Sequence, residues 1–218
     1  MVRFPSETLL SQCAPIKPIP QCPQLKALIA DDVFALWDEW EKEAKGENEI
    51  PFWAVVWPAA ISLAGFLLQN KKIVAGKSVL DFGCGGGVVG IAAAKAGAKK
   101  VVANDIDPIA LHIAKKNMEA NKVQIEFDGR DLLDENNAIE EFDKVLIADM
   151  FYEREKSKVT MKFVEEMKKR GSEIIIADGQ RAFAPKTGVK VLHEETLCVN
   201  EPLEGVKERE VRILRVVE

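Results

Sequence analysis

The chain is predicted to fold as a doubly wound α/β domain built on a mainly parallel sheet, and three observations carry that prediction. Five short apolar runs alternate with helical patterns: Ser78-Val-Leu-Asp-Phe, Lys100-Val-Val-Ala-Asn, Gln124-Ile-Glu-Phe, Phe142 to Ala148, and Glu173-Ile-Ile-Ile-Ala-Asp. Such alternation is the pattern of βαβ units, whose strands are buried on both faces. A glycine cluster at residues 83, 85, 86, 87 and 90 separates the first run from an Ala-rich helical stretch, which is the layout of a nucleotide-binding turn. The tail then alternates as Lys190-Val-Leu-His-Glu-Glu-Thr-Leu-Cys-Val and Arg209-Glu-Val-Arg-Ile-Leu-Arg-Val-Val, two strands expected to pair antiparallel at the sheet edge. Together these give a Rossmann-like sheet of seven strands preceded by an N-terminal helical extension, divided at residue 50 into an arm with one helix (1–50) and the main domain (51–218).

Composition narrows the class. At 218 residues and 47% hydrophobic content the chain can bury one sizeable core. A net charge of −5 gives no electrostatic footprint for nucleic acid, so DNA is not expected as a partner. Four cysteines (13, 22, 84 and 198) show neither a C-x-x-C pair nor zinc spacing, and two histidines cannot build a histidine-rich metal site. No metal is expected. Apolar runs stay below the roughly 18 residues of a membrane span, and the start lacks a signal-peptide core. A cytoplasmic protein is expected, with the mitochondrial matrix as the setting for a trimmed eukaryotic one.

Along the chain, prolines at 5, 15, 18, 20 and 23 predict an extended arm without a helix over residues 1–23. From Gln24 to Lys45, Leu25, Leu28, Ile29, Val33, Leu36, Trp37 and Trp40 recur at three- and four-residue steps, predicting an amphipathic helix. In the next stretch Phe52, Trp53 and Trp57 fall within six positions, and Pro58 suits the first turn of a helix ending at Asn70. Core packing explains each aromatic alone; together they can wall a pocket for a cationic ligand, since a cation is attracted to aromatic faces by roughly 0.5–2 kcal/mol. Farther on, Asp107 and Pro108 read as N-cap and first residue of a helix reaching about Ala120, with Asn121 just past its end. After the fourth run comes a helix from about Glu155 to Lys169 with a basic outer face.

Two readings of the glycines compete. Gly85, Gly87 and Gly90 satisfy G-x-G-x-x-G, a dinucleotide fingerprint. Asp81, Gly83, Gly85 and Gly87 form D-x-G-x-G-x-G, which resembles motif I of the class I S-adenosylmethionine (SAM) methyltransferases. The acid favours the second reading, because a carboxylate beside a pyrophosphate repels it whereas an ammonium-bearing ligand is attracted. Asp105 lies about 20 residues beyond the glycines, where an acid can accept both ribose hydroxyls. Asp131, leaving the third strand, is placed to accept from an adenine amino group, although an ordinary loop Asp reads the same way. Asp81, Asp105 and Asp149 each stand at a strand end, and ligands of open α/β sheets bind beyond the carboxyl ends of strands.

Pro51-Phe-Trp-Ala-Val-Val-Trp-Pro, Gly76-Lys-Ser-Val-Leu-Asp-Phe-Gly-Cys-Gly, Ala103-Asn-Asp-Ile-Asp-Pro-Ile-Ala and Asp149-Met-Phe-Tyr resemble, in combination, the seven-strand lysine methyltransferases acting on the electron transfer flavoprotein β subunit. The similarity covers roughly residues 50–185. It implies strand order 3-2-1-4-5-7-6 and SAM held by Trp57, Asp81, Gly83, Gly85, Asp105, Ile106, Asp131 and Asp149. It also implies an acceptor lysine near Asp149 and Tyr152 as the catalytic pair, with that β subunit or a ribosomal protein as partner. Two positions depart from the pattern: Glu153 stands where relatives often have Asp, and Ala59-Ala60 where they commonly carry glycines. Other readings are a small-molecule or other protein methyltransferase, a nicotinamide-dependent oxidoreductase, and a non-catalytic interaction module.

Overall fold

The computed structural model describes residues 2–134 and 136–217. The first fifty residues hold more regular structure than their prolines suggest. Helix α1 (Glu7–Cys13) begins at Ser6, whose hydroxyl accepts from the Leu9 amide. A hairpin follows, β1 (Ile16–Ile19) antiparallel to β2 (Cys22–Leu28), and then α2 (Val33–Ala44), whose N-cap Asp32 accepts from Phe34 and Ala35. The expected extended arm over 1–23 and continuous helix over 24–45 are both corrected here. Prolines 18 and 23 are tolerated because a two-stranded pair has free edges that need no donor. Leu25, Ala27 and Leu28 are buried while Gln24 and Lys26 face solvent. That two-residue period was masked by the chance helical spacing of Leu25, Leu28 and Ile29.

The main domain keeps the predicted alternation. Helix α3 (Pro58–Gln69) opens on Pro58 and stops at Asn70. It is followed by β3 (Ser78–Phe82), α4 (Val88–Lys95), β4 (Lys100–Asn104) and α5 (Pro108–Asn121). Next come β5 (Glu126–Asp128), β6 (Lys144–Ala148), α6 (Arg154–Lys169) and β7 (Glu173–Asp178). The chain closes with β8 (Val189–Cys198), a single helical turn α7 (Glu201–Glu204), and β9 (Glu208–Val216). The sheet order is β5-β4-β3-β6-β7-β9-β8, which is 3-2-1-4-5-7-6 when its own strands are numbered. β9 alone runs between neighbours on both sides antiparallel, as the alternating tail implied. Helix α5 continues through Asn121, and Lys122 takes the left-handed position (φ 57°) expected for that asparagine. The third strand lies two residues later at its start than predicted.

Register sets the position of the site. Phe82 at the end of β3 pairs with Asn104 at the end of β4 and with Ile147 in β6, and Ala148 pairs with Ala177. The carboxyl ends of the four central strands therefore form one row, so the segments leaving them share one side of the sheet. Alternate residues bury in opposite layers. Val79 packs with Leu63, Leu67 and the hairpin residues Ile19 and Leu25; Leu80 and Phe82 pack with Val145, Phe163 and Met167. Each such buried side chain contributes roughly 1.5–3 kcal/mol, so the row of strand ends rests on a two-sided core.

Two asparagines of α5 join the hairpin to this frame. Asn117 accepts from the Leu28 amide (2.7 Å) and donates to the Gly86 carbonyl (2.9 Å). One turn later, Asn121 accepts from the Lys26 amide (3.0 Å) and donates back to the Lys26 carbonyl. Side-chain amides thus stand in for a neighbouring strand along the open edge of β2, which an unpaired buried edge requires.

Candidate functional site

Between β3 and α4 the chain makes a glycine turn in which Gly83, Gly85 and Gly87 all have positive φ. A Cβ at Gly87 would lie 2.9 Å from the Ala114 Cβ, and one at Gly83 would collide with the Met150 thioether, whereas one at Gly85 would point into open space. Gly87 is thus demanded by packing as well as by backbone conformation, Gly83 by conformation with a movable Met150 beside it, and Gly85 by conformation and by whatever fills that space. Asp81, 1% exposed, accepts from the Gly90 amide at 2.7 Å, satisfying one of the first-turn N–H groups that a helix leaves free. Burial pushes its carboxyl up to about 7 against that bond, with the nearby Asp105 charge adding to the rise. Asp105 accepts from Gly85 (2.8 Å) with one oxygen and Asp107 (3.0 Å) with the other. Burial raises its pKa, and those amides hold it back.

At the far side of the row, Asp149 follows β6 in a left-handed conformation (φ 58°), its amide donating to Ala177 at 3.0 Å. Its carboxylate is gripped by Arg181, Nε to Oδ1 at 2.6 Å and Nη2 to Oδ2 at 2.8 Å. Arg181 also donates to both oxygens of Glu204 in α7 at 3.1 Å, and its guanidinium lies 5.9 Å from the Trp57 ring centre. Arg209 Nε stands 2.6 Å from Glu204. These residues form an alternating chain, Asp149–Arg181–Glu204–Arg209, which holds the Arg181 pKa well above its ordinary value through the Asp149 bonds first. Asp178, fully buried at the end of β7, is pushed up to about 6 by desolvation and then by Asp149.

Between these two ends runs a cleft of about 1060 Å³ along the strand termini. Trp57, Asp81, Gly83, Gly85, Asp105, Ile106, Asp131, Asp149 and Tyr152 all line it. Their surroundings differ. Ile106 and Tyr152 stand on its rim, 66% and 57% exposed. Asp131 is exposed on the loop after β5, where it accepts from Leu133 at 2.9 Å. Trp57 caps α3 with Phe52 tilted against it, while Trp53 turns inward and packs edge-on against Trp40. All three aromatics line the cleft, Trp53 from a largely buried position. Arg181, Glu204 and Asn117 were not singled out from the sequence. Arg181 could have been flagged by the rule that led to Asp149, since it too follows the carboxyl end of a strand, in Asp178-Gly-Gln-Arg.

The residues fit SAM. Gly85 leaves open room beside the cleft-lining carboxylate of Asp105, each of whose oxygens has accepting capacity beyond its one backbone bond, which suits vicinal hydroxyls. Acids line the β5–β4–β3 end of the cleft at 81, 105, 107 and 131, while Asp149 at the other end is paired with Arg181; the acids of the first end favour a cationic ligand and oppose a pyrophosphate.

Comparison with known proteins agrees. The family model described as ribosomal protein L11 methyltransferase (PrmA) matches residues 64–176, just over half of the chain. The electron transfer flavoprotein beta subunit lysine methyltransferase of Xenopus laevis is 36% identical over 134 residues, covering 61% of this chain and 54% of that protein. The Danio rerio protein of the same name is 38% identical over 144 residues, covering 61% and 51%. The chain thus spans about half the length of these curated relatives. The crystal structure of the ribosomal protein L11 methylase from Lactobacillus delbrueckii subsp. bulgaricus aligns with TM-score 0.51 at 15% identity, over 75% of this chain and 81% of that one, a likeness of fold. Fold, glycine turn and family match converge: the chain belongs to the ribosomal protein L11 methyltransferase (PrmA) family of class I SAM-dependent methyltransferases.

Proposed function

We propose that the chain transfers a methyl group from SAM to a lysine ε-amine of a protein. The observation that carries this reading is the separation of the cleft into two ends, Asp105 beyond β4 and a buried carboxylate at Asp149 beyond β6, on either side of β3. When bound, SAM supplies a methyl group on a sulfonium, whose departure leaves a neutral thioether. The protein's own contribution is then alignment, which can supply roughly 7–11 kcal/mol of a bimolecular barrier. Asp105 takes the ribose hydroxyls, Asp131 the adenine amino group, and the open face of Gly85 admits the ligand beside the turn. Asp81, with one oxygen on Gly90, offers the other to the methionine ammonium. Trp57 and Ile106 flank the donor. Asp149 accepts an N–H of the acceptor amine, each of its oxygens keeping a lone pair beside its bond to Arg181, and Tyr152 stands at the entrance where the lysine enters.

The names of the relatives support a protein acceptor, the electron transfer flavoprotein β subunit or ribosomal protein L11. The four free cysteines support a reducing compartment such as the cytoplasm. The test is incubation of the purified chain with methyl-labelled SAM and each candidate acceptor, followed by peptide mass spectrometry. Label on a lysine side chain is expected. Label on glutamine, on an α-amine or on neither acceptor would overturn the reading.

A further inference from the structure

We propose that Arg181 is a positioning residue that neutralises Asp149, so that the acceptor lysine enters the site as a free amine and not as an ammonium ion. The inference rests on the reading of Asp149 as the acceptor-side residue. An ammonium has no lone pair and cannot attack a methyl group; a lone buried carboxylate beside it would hold it in that inert form, because an opposite charge at contact distance raises an amine's pKa by about 1–3 units. The structure removes this obstacle. Arg181 makes two charge-assisted bonds to Asp149, both under 3 Å, while its side chain is only 19% exposed and that of Asp149 8%. The pair faces the cleft as a neutral unit that still offers oxygen lone pairs to a neutral N–H.

The geometry also fixes the arginine in place. Glu204 accepts from its two terminal nitrogens, and the Trp57 ring lies under the guanidinium. The planar fork of arginine meets both carboxylates at once, which a lysine cannot do. The charged groups around Asp149 are Asp178 at the end of β7, Arg181 after it, Glu204 from α7, and Arg209 and Arg212 from β9; Glu49 and, from α6, Glu155, Lys156, Lys158 and Lys162 lie along the cleft wall. Three acids face three arginines at the strand ends. Removal of Arg181 therefore leaves a net negative charge next to the entering amine. In the transfer itself, the amine lone pair forms the N–C bond as the C–S bond breaks and its electron pair stays on sulfur; the methylated nitrogen then carries the positive charge until it releases a proton to solvent.

The experiment is the pH dependence of kcat for lysine methylation with saturating SAM, using whichever acceptor the wild-type chain methylates, in wild type, Arg181→Gln and the double variant Asp149→Asn/Arg181→Gln. In R181Q the acid limb should move up by about one to two pH units, with kcat near pH 7 lowered about ten- to a hundredfold and recovering at high pH, and KM unchanged or lower. The double variant, with neither charge, should bring the limb back toward wild type at reduced kcat. S-adenosylhomocysteine affinity reports whether each variant is folded, and Arg181→Met takes the place of R181Q if that one is not. A loss of kcat in the arginine variant that is equal at all pH values, or a limb that the double variant fails to restore, overturns the inference alone. Absence of lysine methylation by the wild-type chain overturns the proposed function and the inference with it.

Discussion

Asp81 and Asp105 occupy neighbouring strand ends yet do different physical work. Asp81 is enclosed and spends an oxygen on the first turn of α4, while Asp105 braces the glycine turn from the next strand. Folding favours the protonated form of Asp81 (raised to about 7) and of Asp178 (raised to about 6), both chiefly through burial. Their folded pKa values lie above those of the unfolded chain, so the associated stabilisation is complete below about pH 4. It is lost as pH rises through about 6 and 7. Thermal unfolding of the ligand-free protein should therefore show a midpoint falling by several degrees between pH 5 and 8, and Asp81→Asn should flatten the upper part of that fall. A midpoint that rises over this range contradicts the assignment. Asp105→Ala has another signature. Loss of its charge-assisted bonds should weaken S-adenosylhomocysteine binding by roughly 10- to 100-fold, read by calorimetric titration, with turnover at saturating SAM less affected. The places of Asp81 and Asp105 at strand ends were visible in the sequence because strand ends are readable from apolar runs. Arg181 was open to the same strand-end rule, but nothing in Gln180-Arg181 marks its side chain as the one that reaches Asp149 beyond the neighbouring strand.

The glycine turn and the α5 asparagines act at the scale of elements. Gly85→Ala and Gly87→Ala place a Cβ on left-handed backbone in both cases, costing about 1 kcal/mol. Only the second meets Ala114 at 2.9 Å. The substitution at Gly87 should accordingly lower the unfolding midpoint more, while that at Gly85 should impair S-adenosylhomocysteine binding out of proportion to its effect on stability. Equal effects of the two on both measurements would mean that the open space at Gly85 is not ligand space. Asn117→Ala strands the Leu28 amide and the Gly86 carbonyl together, a loss of about 2–4 kcal/mol by the usual cost of unpaired buried groups. Denaturant titration checks it, and a loss below about 0.5 kcal/mol would show that water replaces the amide. Helices α3, α4 and α5 were legible because proline, glycine and Asp-Pro signals mark their ends. The hairpin was not, since Leu25, Leu28 and Ile29 fall at helical steps while the strand alternation rests on Leu25 and Ala27 alone. Pairing with β1 and the α5 asparagines decides between them.

For the whole molecule, the parallel core orders its strand ends into one row, and the antiparallel β8–β9 pair returns α7 to that row so that Glu204 can hold Arg181. The tail thus reaches the Asp149 end of the cleft as well as forming the sheet's edge, a consequence that strand alternation in the sequence could not reveal. The proposed function divides the labour along that row, with the donor at the β3–β4 end and the acceptor at the β6–β7 end. Asp149→Ala tests it most directly, with S-adenosylhomocysteine affinity by calorimetry and kcat for lysine methylation measured on the same preparation. The prediction is an affinity within about threefold of wild type and a kcat lowered at least about a hundredfold, the range for a group that acts on the reacting amine. Parallel losses in affinity and kcat would contradict it, placing Asp149 with the donor and leaving the acceptor end undefined.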